Sequence, residues 1–99
     1  MRSNDKDVVE TMLNICEGYI KIKEIEKCEK VLEEIRSLID ETNIEQVIEQ
    51  NLFWYRAYII KEMQDEAENI LLETFNLAKA NGLYKKMAEL SILLGRYYI

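Results

Sequence analysis

The sequence predicts an all-α fold: five antiparallel helices forming about two and a half helical hairpins in a single domain, residues 1–99. Three observations predict it. Apolar residues recur at helical spacing along the chain, and no segment sustains the alternation of a strand. A pattern of aromatic and small residues returns at an interval of about 40 positions. With no Pro and three Gly, turn formers are too scarce for an all-β chain.

The elements follow in order. Ser3, Asn4 or Asp5 is placed to cap the first helix, which is expected to reach about Ile22. Lys23-Glu24 is a weak break, located mainly by the change of apolar stripe. Ile25, Cys28, Val31, Leu32, Ile35, Leu38 and Ile39 lie on one face of a second helix that should end near Glu41. Thr42-Asn43-Ile44-Glu45 matches a capping box, in which a Thr oxygen and a Glu carboxylate satisfy free amides. A third helix runs from there to about Glu62. Asp65 with Glu68 marks the start of a fourth, whose stripe is Ala67, Ile70, Leu71, Thr74 and Ala78. Asn81-Gly82 stops it, because Gly takes the left-handed conformation cheaply. A fifth helix is expected from Tyr84 to Tyr98.

Composition narrows the function. A net charge of −6 disfavours nucleic-acid binding, which needs clustered Lys and Arg. No apolar run approaches the roughly 20 residues of a membrane span, so no membrane partner is expected. The N-terminus lacks the apolar core of a signal peptide, and two Cys are compatible with a reducing compartment, so the expected localisation is cytoplasmic. The chain has no His, which removes the commonest general base and metal ligand. It also lacks a phosphate-binding loop, a dinucleotide fingerprint and a nucleophile elbow. No enzyme activity and no cofactor are expected.

The repeat is read from the tyrosines. Tyr19, Tyr58 and Tyr98 lie 39 and 40 residues apart. Four residues before them stand Ile15, Trp54 and Leu94; nine residues after the first two stand the small residues Cys28 and Ala67, followed four later by Leu32 and Leu71. Large residues at the first positions fill the space between paired helices, and a small residue on the second helix permits close approach. This pattern, with Leu94-Gly95-Arg96-Tyr97-Tyr98 as its clearest local copy, resembles the tetratricopeptide repeat over about residues 9–99. The chain departs from that pattern at Tyr55, where a small residue is usual, and in lacking the closing Pro. The longer period is similar to that of the peptide-sensing regulators of low-GC Gram-positive bacteria, the Rap, PlcR and AimR type.

The resemblance implies a concave groove lined by the first helix of each pair, and a protein or peptide as partner. On the family register, Leu13, Leu52 and Ile92 occupy one groove position. Glu17, Arg56 and Arg96 occupy the next, and Glu10, Glu49 and Glu89 lie a turn earlier. Arg56 and Arg96 would grip a carboxylate or carbonyl with their planar forks; the alternative is that they are surface charges pairing across neighbouring helices. Asn14 and Asn51 would hold a peptide backbone, or are ordinary surface amides. Phe53 lies opposite the core stripe and is the best aromatic candidate for a partner contact, whereas Trp54 and Tyr58 read as core. Cys16 and Cys28 occupy the small positions that meet in such a repeat. They should be neighbours, either as buried thiols or as a redox or metal pair.

The third copy has only its first helix. The chain therefore reads either as part of a longer array, the sensory or docking part of a bacterial regulator, or as a homodimer through the C-terminal helix with no separate ligand.

Overall fold

The computed structural model describes residues 5–95. It holds five helices, α1 (Asp5–Lys21), α2 (Ile25–Leu38), α3 (Ile44–Ile60), α4 (Gln64–Ala80) and α5 (Tyr84–Leu94). Among the described residues there is no strand. The helices form because apolar residues return every three to four positions and bury one face each. α1 packs on α2, α3 on α4 and α4 on α5, while α1 and α2 both lean on α3.

Three of the four connections are the same turn. Lys23, Glu62 and Gly82 have φ of 62°, 60° and 66°. Each donates its amide to the carbonyl three residues back, Ile20, Ile59 and Lys79, at 3.0, 3.0 and 3.2 Å. The next residue donates five back: Glu24 to Tyr19, Met63 to Tyr58 and Leu83 to Ala78, at 2.8, 2.8 and 2.9 Å. This paired bonding satisfies the last free carbonyls of a helix around one left-handed residue. Tyr19 and Tyr58, aligned by sequence, thus serve the same place in two turns.

The core has two centres. Val9, Leu13, Cys16, Cys28, Leu32 and Ile35 form the first, into which Trp54 of α3 is inserted. Ile48, Tyr55, Ala67, Leu71, Leu90 and Leu94 belong to the second. Tyr58 and Ile70 pack against both and join them. Polar links reinforce the joint: Gln46 Nε2 donates to the Lys6 carbonyl at 2.9 Å, and Lys61 meets Glu29 at 3.1 Å.

The structure corrects several expectations. α2 ends at Leu38, not near Glu41, because Ile39 turns extended at φ −67°, ψ 138°. Thr42 does not cap α3. Its amide and hydroxyl both donate to Asp40 Oδ1, at 2.9 and 2.7 Å, and Asn43 Oδ1 accepts from the Gln46 amide instead. These bonds hold the Asp40 carboxyl below the usual carboxylate range, the Thr42 hydroxyl contributing most. α4 begins at Gln64 after Met63, with no side-chain cap. Ile15 is 45% exposed, although Trp54 and Leu94 at the matching positions are buried. Those two lie on helices that follow α2 and α4 and pack on them; α1 follows no described helix. The part of the fifth helix expected beyond Gly95, with Tyr98, lies outside the described residues.

Candidate functional site

The face of α3 that carries Glu49, Leu52, Phe53 and Arg56 opens into a cleft of 360 Å³ that also includes Tyr55 and Leu93 of α5. Spacings of three and four residues place these four side chains on one side of α3. The cleft exists because α5 packs against α4 while α1 packs against α3. α3 is therefore covered more closely by α1 than by α5, which it meets only through the second core centre. Its wall is mainly apolar, with Leu52, Phe53 and Leu93 half-buried and Tyr55 buried.

Arg56 is engaged within the chain. Its Nη2 donates to Glu17 Oε2 at 2.7 Å, and its guanidinium carbon lies 5.3 Å from the centroid of the Phe53 ring. Of the two readings of this arginine, charges pairing across neighbouring helices describes the contact seen. The Arg56 bond holds the Glu17 carboxyl below the usual range. One fork position is thereby used, and four N–H donors remain on the guanidinium.

The other expected site residues are dispersed. Leu13 is 3% exposed and belongs to the first core centre, so its placement in a groove is corrected. It sits in the stripe Val9, Leu13, Cys16 and Ile20, which is closed by α2 and α3; Leu52, its match by register, is half-buried, packed against the second core centre and lining the cleft. Asn14 is exposed on α1, and Asn51 lies on the opposite face of α3, in a second groove. Glu49 is exposed at the rim of the cleft. Arg96 lies outside the described residues. The sequence signal for Tyr55 was visible as a bulky residue where a small one was expected; nothing marked Leu93.

Cys16 and Cys28 are neighbours, both fully buried, with the Cys16 thiol 3.9 Å from the Cys28 carbonyl oxygen. Burial, then the proximity of Cys28, pushes the Cys16 thiol up to about 12, and burial raises Cys28 as well. Both are protonated at neutral pH and poor nucleophiles. Among the described residues no group of three or more His, Cys, Asp or Glu is arranged to hold a metal ion, and no helix is long and apolar enough to cross a membrane.

Comparison with protein-family models, curated proteins and solved structures finds no match to this chain.

Proposed function

We propose that this chain is a non-catalytic, tetratricopeptide-like binding module, serving as the sensory or docking part of a cytoplasmic bacterial regulator, and that it takes a protein segment or peptide into the α3–α5 cleft. The observation that carries this reading is the convergence of Glu49, Leu52, Phe53 and Arg56 on one apolar cleft. Its volume of 360 Å³ lies within the usual range for ligand sites. A few apolar side chains would fill it, with Arg56 and Glu49 at the rim to fix orientation.

The test is selection of peptides from a displayed library against the intact protein, followed by measurement of the selected peptides on Leu93→Lys. Leu93 is half-buried at the cleft wall, so a lysine there can reach solvent while obstructing the cleft. Loss of binding by about tenfold or more, with an unchanged circular dichroism spectrum, supports the reading. Equal affinity for both proteins refutes it.

A second reading is homodimerisation through α5, favoured by Tyr84 and Ile92, which are 77% and 74% exposed there. Light scattering over a concentration series separates the two. A monomer at all concentrations removes the dimer; a tight dimer for which no peptide is selected removes the cleft.

A further inference from the structure

On the face of α3 opposite the cleft, a groove of 840 Å³ runs between α2 and α4. Its floor is Ile39, Val47, Ile70 and Leu77. Gln50 also lines it, at 6% exposure, and its Oε1 is sealed from solvent with no hydrogen-bond donor. A buried acceptor without a partner destabilises a fold. The fold does not demand an amide at this place: 40 residues on, at the matching position, stands Leu90, 1% exposed. Gln50 is thus a polar residue held at a core position against the interest of stability, a pattern associated with binding.

The charges around it have a sign. Arg36 is engaged, 3.6 Å from Glu33 and with its guanidinium carbon 4.9 Å from the Trp54 ring centroid. Glu41 and Glu73 line the groove and form no ion pair among the described residues. Asn51 and Asn76 add two more side-chain amides.

We propose that this groove is a second binding site, separate from the cleft, for an extended peptide in which basic side chains alternate with apolar ones. The apolar side chains settle on the floor. Peptide groups match the donor-and-acceptor amides of Asn51, Asn76 and Gln50, and rotation about the terminal torsion of Gln50, which is soft, presents its oxygen to the ligand. The ammonium groups answer Glu41 and Glu73. No part of this depends on the cleft being occupied.

The probe is the acetylated, amidated peptide Leu-Lys-Leu-Lys-Leu, with Leu-Glu-Leu-Glu-Leu as its counterpart. Amide chemical shifts of the labelled protein and the emission of its single tryptophan, Trp54, report binding. The lysine peptide should shift groove residues at about millimolar concentration, with the glutamate peptide about tenfold weaker or silent. Gln50→Leu should raise the melting temperature and weaken the lysine peptide by about fivefold or more. Glu41→Gln with Glu73→Gln should abolish the preference for lysine. Absence of groove shifts, shifts centred on the α3–α5 cleft, or undiminished binding by Gln50→Leu would each overturn the proposal.

Discussion

Replacing Lys23 or Glu62 with glycine should stabilise this protein, although both side chains are exposed and fill no part of the core. Each residue holds a φ near +60°. That conformation costs a residue with a Cβ about 1–2 kcal/mol. Glycine avoids most of this cost, but its looser unfolded chain returns about 0.4–1 kcal/mol. Both side chains are exposed, so little packing is lost. The net gain is about 0.5–1 kcal/mol per site. The two turns are distant in sequence and share no hydrogen bond, so the gains should add. For a domain of this size the double variant should melt roughly 5–10 °C higher. Gly82→Ala is the reverse experiment: no atom lies within 4 Å of an added Cβ, so a loss of about 1 kcal/mol would be purely conformational. Thermal and urea melts followed by circular dichroism measure all three. The reasoning is refuted if both glycine variants melt lower, as they would were these positions ordinary helix, where glycine costs about 1 kcal/mol.

Other outcomes follow from the same geometry. The Arg56–Glu17 pair is 40% and 38% exposed, so a double-mutant cycle should return a coupling of only about 0.3–1 kcal/mol. Because the Glu17 pKa is lowered on folding, that coupling is complete above the ordinary glutamate pKa, about 4.3, and is lost as pH falls below it. Equal coupling by urea melts at neutral and strongly acidic pH would contradict the pairing. Trp54→Ala should cost about 3–5 kcal/mol, since Trp54 is 4% exposed within the first core centre. Ile15→Gln should change stability by no more than about 0.5 kcal/mol; a larger loss would mean that α1 is covered in solution. Cys16 and Cys28 should resist a thiol reagent in the native state and react on unfolding; prompt native labelling would refute their burial.

Tyr19 and Tyr58 are legible from spacing because both stand at the same bond of the same turn, and a repeated turn leaves a repeated interval. The five helices were legible for the usual reason, a strong 3.6-residue period. Periodicity identifies the face that is apolar, but not the neighbour that covers it. Ile15 and Trp54 share a register and differ in exposure because only Trp54 has a preceding described helix to pack on. Leu13 and Leu52 differ for a related reason, since α3 packs more closely on α1 than α5 does on α3. At the start of α3, Thr42 and Asn43 are both competent caps. Asp40 decides between them by drawing both Thr42 donors to itself, a competition invisible to a motif that begins at Thr42. Gln50 reads as an ordinary polar interruption in a stripe until its burial is seen.

The matching turns make the chain divisible. Lys23 and Glu62 are 39 residues apart and sit in identical hydrogen-bond settings. Copying or deleting the segment between them would rejoin the backbone at a junction indistinguishable from the present one. Array length is then a trait that unequal recombination can alter by whole hairpins, without any new turn having to be invented. A lineage of such chains would vary in reach and in the number of grooves along its side, while each joint kept the chemistry it already has.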